Sequence, residues 1–230
     1  MSAGLDWIDV DKLLATGWLG SCEVLDAVES TNTFGMHRAL RVERRVLRLL
    51  VVARQQTAGR GRGSNIWWSS DGSITFSLLI APSVAGLAGS QWPMLSVVTG
   101  SAICTALASF TGRHPPRLKW PNDVYLRGRK VCGILVEAPS TSDDRVVIGV
   151  GTNANNSFVD CPDELEGIGT SLIDITGSEV SRQEVLACVL EQLRRDLQRL
   201  ASGDESLLAT WRSQCLLTGR GVVVGDHQRR

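Results

Sequence analysis

The sequence has no G-x-x-x-x-G-K-[ST] run, so the phosphate loop of the common ATPases is missing and any nucleotide chemistry needs another cradle. Its six cysteines, Cys22, Cys104, Cys132, Cys161, Cys188 and Cys215, form no C-x-x-C pair. That excludes a zinc ribbon and a dithiol redox motif and leaves core thiols as the reading. Met1 to Asp11 lacks a basic stretch followed by an apolar one, and no apolar run approaches the ~18 residues of a membrane span. A cytoplasmic protein is the expectation, with no membrane partner. Net charge is absent too: 24 Lys and Arg balance 24 Asp and Glu. No overall field favours nucleic acid or an anionic surface, and any anion site must be local. There is no internal repeat or low-complexity segment.

What is present suits one main domain with a buried core plus an appendage: 230 residues, 43% hydrophobic and 21% charged. Cys22 to Val28 alternates as a strand, and Glu29-Ser30-Thr31-Asn32 supplies N-cap residues for a helix running into the charged stretch Arg38 to Arg48. The basic run Arg41 to Arg48, offset by Glu43, reads as a solvated helix face. Leu49 to Ala53 predicts a buried strand feeding a glycine-rich loop, Thr57 to Ser64. Ile74, Phe76, Leu78 and Ile80 alternate as one face of a half-buried strand. Ser90 is a cap candidate for a helix with Pro93 in its first turn, running to Phe110. Lys119 to Glu137 reads as a hairpin, with strands Val124 to Leu126 and Val131 to Val136 around Arg127-Gly128-Arg129; Val146 to Val150 follows as a strand. Ser181 and Glu184 form a capping box ahead of Val185, Val189, Leu193, Leu197 and Leu200 at helical spacing. Hairpin-rich strands with interspersed helices predict an α+β fold.

Three segments carry chemistry. Gln56 to Gly63 (QTAGRGRG) leaves a strand into a loop whose alternate glycines let backbone N–H groups face an anion, flanked by Arg60 and Arg62 as phosphate or carboxylate forks. A disordered RGG-type nucleic-acid segment is the alternative, but such segments repeat and lack flanking strands. Lys119-Trp120-Pro121-Asn122-Asp123 is, alone, equally well a Pro-Asn-Asp turn. A hairpin folding Lys130 back beside Asn122 and Asp123 would instead put a lysine and a carboxylate in one site. Gly149 to Ala154 matches G-x-G-x-x-A, but Asn155-Asn156-Ser157 and Cys161-Pro162 break the helix a dinucleotide fingerprint must open. A strand end delivering Asn153 to a pocket is the reading.

With Trp67 and Lys130 to Glu137 (KVCGILVE), these pieces resemble the biotin protein ligase family over roughly Val28 to Trp211, in matching order and spacing. The resemblance implies a class II synthetase-like catalytic domain, a mixed and largely antiparallel sheet covered by helices. It implies ATP and biotin as substrates, Mg²⁺ as counter-ion, and a biotin carboxyl carrier protein domain as partner, and it leaves a homodimer open. Ser30, Thr31, Asn32 and Gln56 would hydrogen-bond biotin, with Gly59, Arg60, Gly61, Arg62, Lys130 and Gly133 completing that side. Trp67, Lys119, Asn122, Asp123 and Asn153 would join Arg60, Arg62 and Lys130 around the nucleotide. Lys130 would bridge biotin carboxylate and α-phosphate; Asp123 is the candidate to orient the carrier amine or take its proton, and the candidate protein carboxylate beside the magnesium of ATP.

This chain departs from the family in two places. Gly63-Ser64-Asn65-Ile66 precedes Trp67 where many bacterial members have a further glycine and arginine, giving fewer positive charges and resembling the eukaryotic loop. Gly221-Val222-Val223-Val224 begins one strand where the family has a small β-barrel, so residues 1–212 are expected as the catalytic domain and 213–230 as a truncated or absent second one. Met1 to Ser21 is too short for a winged helix, so no DNA binding is expected. The rivals are a lipoate or octanoate ligase, which favours an open apolar tunnel, and a non-catalytic nucleic-acid-binding protein, which explains the Gly-Arg loop alone.

Overall fold

The computed structural model describes residues 7–41, 48–140, 144–159 and 161–222. Seven strands form one sheet in the order β1-β2-β3-β7-β6-β5-β4: β1 (Ser21–Val28), β2 (Arg48–Gln56), β3 (Ile74–Ile80), β4 (Arg117–Lys119), β5 (Asp123–Leu126), β6 (Arg129–Glu137) and β7 (Val146–Thr152). Only β1 and β2 pair in parallel. The sheet is therefore mixed and largely antiparallel, within an α+β fold. Around it lie α1 (Val10–Leu14), α2 (Thr31–Ala39), α3 (Leu95–Thr111), α4 (Leu172–Thr176), α5 (Arg182–Ala201) and α6 (Ser206–Gln214).

The sheet is covered on both faces. One face, carrying Leu50, Val52, Phe76, Leu78, Ile134, Ile148 and Val150, packs with α3 and α5 into the main core. The other, with Leu49, Val51, Leu79 and Val147, lies under α2. This corrects the half-buried expectation for β3: every residue from Ile74 to Ile80 is buried. Its polar row turns inward to bond, Thr75 Oγ1 donating to Ala53 O and Ser77 joining α2.

Other boundaries shift for local reasons. The Ser30 hydroxyl accepts from Thr33 N and starts α2 as expected, but α2 ends at Ala39 and Arg48 already belongs to β2; the rest of the expected helical run, residues 42–47, lies outside the described set. Ser90 does not cap α3. A 3-10 turn, Gly89–Met94, precedes it, and the Gln91 side chain accepts from Ala88 N. Gly89–Thr111 is long and apolar enough by composition to cross a membrane, yet α3 packs between the sheet and α5. α5 keeps its cap, Ser181 Oγ accepting from Glu184 N, and buries all five anticipated apolar positions. Past α6, Leu216 N donates to Leu118 O and follows β4. Gly221 and Val222 form no strand; residues 223–230 lie outside the described set. Only Cys104, Cys132 and Cys215 are core thiols, while Cys22 and Cys161 are half-buried and Cys188 is exposed.

The hairpin that matters most turns at Arg127-Gly128, both with positive φ (48° and 81°), as a two-residue turn matched to strand twist requires. A register shift between Val124 and Tyr125 then brings Lys130 Nζ within 2.7 Å of Asp123 Oδ1.

Candidate active site

Strand alternation builds the site. On the α2 side, β6 presents Gly133, Leu135 and Glu137, and β7 presents Gly149 and Gly151; Gly133 lies opposite Gly151 and Leu135 opposite Gly149. These glycines line a cavity of about 680 Å³, and neighbouring side chains lie close over their backbone. What fills the missing side-chain space is specific. A Cβ on Gly149 would stand 2.0 Å from Asn32 Oδ1, and one on Gly151 would stand 2.3 Å from Trp67 Cε2. The indole therefore lies against Gly151 and Gly133, its Nε1–H buried and without a hydrogen-bond partner among the described residues.

One end of the cavity is a hydrogen-bonding cluster. Thr31 N and Oγ1 both donate to Gln56 Oε1, at 2.8 and 3.1 Å, which fixes the amide and leaves its NH2 group for a ligand. The Ser77 hydroxyl lies 2.8 Å from Thr31 Oγ1 and 2.6 Å from Asn32 Oδ1. Asn32 spends its amide elsewhere, donating to Leu135 O at 3.0 Å and to Glu137 Oε2 at 2.9 Å. Its role is to hold α2 on the sheet more than to offer donors.

Over the cavity runs the loop from Thr57 to Trp67. Thr57 N and Ala58 N donate to Val28 O and Glu29 O, and Trp67 N to Gly59 O, so the two arms close on each other. Gly59 is needed there, since a Cβ would meet Trp67 O at 2.4 Å. Gly61 N donates to Asn65 O, so this amide is not turned toward an anion as the glycine spacing suggested. The two arginines differ. Arg60 is paired with Glu137 and with Thr33 Oγ1, whereas among the described residues the guanidinium of Arg62 has no partner and lines the cavity.

Lys130 and Asp123 form the ionic end. They are an ion pair at 2.7 Å, poorly aligned as a hydrogen bond, with Lys130 Nζ 5.6 Å from the Trp67 ring centroid. Asn122 bonds Ile134 through both its side-chain amide and its carbonyl, which keeps the start of β5 against β6. Cys132 sits beneath this end, but burial pushes its thiol up to about 12, so it stays protonated and offers no nucleophile.

Most residues anticipated from the sequence meet here: Ser30, Thr31, Asn32, Gln56, Arg60, Gly61, Arg62, Trp67, Asn122, Asp123, Lys130 and Gly133 line one cavity. Gly59, Lys119 and Asn153 do not line it. Asn153 follows the end of β7 and turns inward, donating to Thr170 O and accepting from Asn156. Lys119 points out of the cavity, 3.3 Å from Tyr125 Oη and over that ring. Asp123 is engaged by Lys130, and the described residues contain no group of three His, Cys, Asp or Glu side chains that would hold a metal unaided; the magnesium expected from the sequence is a counter-ion carried by ATP, which needs no such group. Gly149 and Gly151, which line the cavity, and Ser77 and Glu137, which brace residues that do, were missed. Their signal was the period-two alternation of β3, β6 and β7, which puts them on the face of Gly133.

The chain matches the profile of the biotin/lipoate A/B protein ligase family over residues 24–153. It is 36% identical to the bifunctional ligase/repressor BirA of Bacillus spizizenii over 75% of this chain and 53% of that protein. It is 27% identical to the biotin--[acetyl-CoA-carboxylase] ligase of Mycobacterium tuberculosis over 97% and 77% respectively. The chain spans about half the length of the first of these relatives. Among solved structures, the biotin protein ligase of Aquifex aeolicus in complex with biotin and ATP superposes with a TM-score of 0.73 at 31% identity, over 85% of this chain and 78% of that one. The Leishmania major enzyme superposes equally well at 20% identity, a likeness that bears on the fold alone. A family profile covering more than half of the sequence, on a chain whose glycine floor, arginine loop and lysine–aspartate pair converge on one cavity, means that this chain belongs to the biotin/lipoate A/B protein ligase family.

Proposed function

We propose that the chain is an ATP-dependent biotin protein ligase, which forms biotinyl-5'-AMP and transfers the biotinyl group to a lysine of a biotin carboxyl carrier protein domain. The observation that carries this reading is the two-ended cavity. A hydrogen-bonding cluster at Thr31, Gln56 and Ser77 is separated from the cations Lys130 and Arg62 by the floor of Gly133, Gly149 and Gly151. A ureido ring needs donors and acceptors, a flexible acid chain needs a smooth floor, and a carboxylate meeting a phosphate needs positive charge. Biotin has all three parts. Lipoate lacks the first, and its dithiolane would leave the Gln56 NH2 unpaired, the kind of loss that discriminates strongly in a buried site.

In the first step a carboxylate oxygen of biotin attacks the α-phosphorus of ATP; the new C–O–P anhydride forms as the bond to pyrophosphate breaks. The residues hold two anions together against repulsion, with Lys130 between them and Arg62 above. In the second step the carrier's amine attacks the acyl carbon and AMP leaves. That amine must be neutral, against an ordinary pKa of about 10.4, and Asp123 is our candidate to orient it or take its proton.

Two results test this. Biotin at a hundredfold excess over its Kd should stabilise the chain by about 2.7 kcal/mol, read as a rise in melting temperature, while lipoate leaves it unmoved. A larger shift with lipoate would move the assignment to its rival. Incubation with ATP, biotin and a carrier domain should add one biotinyl mass to the carrier. The floor is tested by Gly149→Ala, whose methyl displaces Asn32 from a buried, fully bonded position. Biotin affinity by calorimetry should fall at least about tenfold, with circular dichroism unchanged; native affinity would remove Asn32 and the floor from the binding argument.

A further inference from the structure

The geometry points to Glu137 as a positioning residue, whose single carboxylate ties the glycine-arginine loop to the first turn of α2 and so sets where the loop sits over the cavity. What the loop covers rests on the ligase reading above; the junction itself rests on contacts. Each oxygen serves a different element: Oε1 pairs with Arg60 of the loop, and Oε2 accepts from Asn32 Nδ2 of α2 at 2.9 Å. Arg60 closes the triangle by donating from its other nitrogen to Thr33 Oγ1 at 3.2 Å. Asn32 in turn holds Leu135 O, so loop, helix and β6 meet at the last residue of that strand.

Glu137 does not line the cavity, so it acts through Arg60 and Asn32 rather than on a ligand. This makes the two loop arginines unequal. Arg60 has its charge matched by Glu137 and works as a clasp; Arg62, with no partner among the described residues, is the cation left to meet an anionic ligand. A pair this accessible, with side chains 46% and 23% exposed, adds little to global stability. Its leverage is on placement, because a loop that wanders by an ångström loses its orienting effect on bound groups.

The test uses Glu137→Gln, which keeps an amide oxygen for Asn32 but removes the charge facing Arg60, together with Arg60→Ala and the double variant. Three quantities are read: trypsin cleavage after Arg62 in the free chain, the rate at which preformed biotinyl-adenylate leaves, and biotin affinity. Glu137→Gln should speed cleavage and adenylate loss about fivefold, and Arg60→Ala should add nothing to it, since both remove one link. Biotin affinity of Glu137→Gln should stay within about twofold, because Gln56, Thr31 and Ser77 are untouched. Native cleavage and retention in Glu137→Gln, multiplication of the two single effects, or an equal loss of biotin affinity would each overturn the proposal. If the unaltered chain forms no adenylate, the ligase reading fails, whereas cleavage of the free chain still decides the junction.

Discussion

Lys130→Ala should lower the rate of biotinyl-adenylate formation by about a thousandfold or more, the scale of losing a preorganised charge that acts on developing phosphoryl charge. The structural reason is that Lys130 has no substitute. Arg60 is spent on Glu137, Arg62 hangs from a loop, and Lys119 faces away toward Tyr125. Removing the ammonium also strips Asp123 of its partner at 2.7 Å, so a bare carboxylate would face two anionic substrates. The fold should survive, because the backbone of Lys130 is held by Ile168 and Thr170 irrespective of its side chain. Pyrophosphate release under saturating substrates is the measurement, with biotin affinity as the control. A release rate within tenfold of the unaltered chain would take Lys130 out of the chemistry.

The second large effect is one of containment. Arg62→Gly removes the loop's unclaimed guanidinium and makes three consecutive glycines with Gly61 and Gly63, while Asn65 still donates to the carbonyl of residue 62 from its backbone and side chain. Closure should weaken from both directions: the anion loses its fork and the chain gains freedom. Biotinyl-adenylate then escapes. Because the anhydride acylates any neutral amine, serum albumin incubated with the variant, ATP and biotin should become strongly labelled on a streptavidin blot, at pyrophosphate output matched to the unaltered enzyme. Labelling no higher than that of the unaltered chain would return Arg62 to the role of a solvated loop arginine.

How far the sequence could be read depended on whether a residue's fate was decided locally. The Ser181 cap and the apolar stripe of α5 follow from near neighbours and stand where the pattern put them, while the turn after Leu126 is shorter than expected, with Arg129 already in β6. The Lys130–Asp123 pair was legible for the same reason, since a tight hairpin leaves few registers. β3 misled because burial of its second face depends on α2 folding back across the sheet, which alternation cannot report. Ser77 therefore looked like a solvent-facing polar residue while it braces Thr31 and Asn32. Asn153 and Lys119 came with the motif rather than from their surroundings. Thr170, 17 residues away, draws Asn153 inward, and the outward face of the short strand β4 carries Lys119 off.

The sheet beneath the cavity also works as a length gauge. Gln56 ends β2 and Lys130 stands near the start of β6, and the order β2-β3-β7-β6 puts three inter-strand steps between them, about 14 Å at roughly 4.8 Å each. Both anchors are fastened to one hydrogen-bonded framework that does not stretch, and the glycines between them give a passing chain nothing to grip. An acid whose ring is seated at Gln56 thus has its carboxylate delivered to Lys130 only if its own chain has the right reach. Homologues of such an acid with shorter or longer chains should react more slowly, because their carboxylates would miss Lys130.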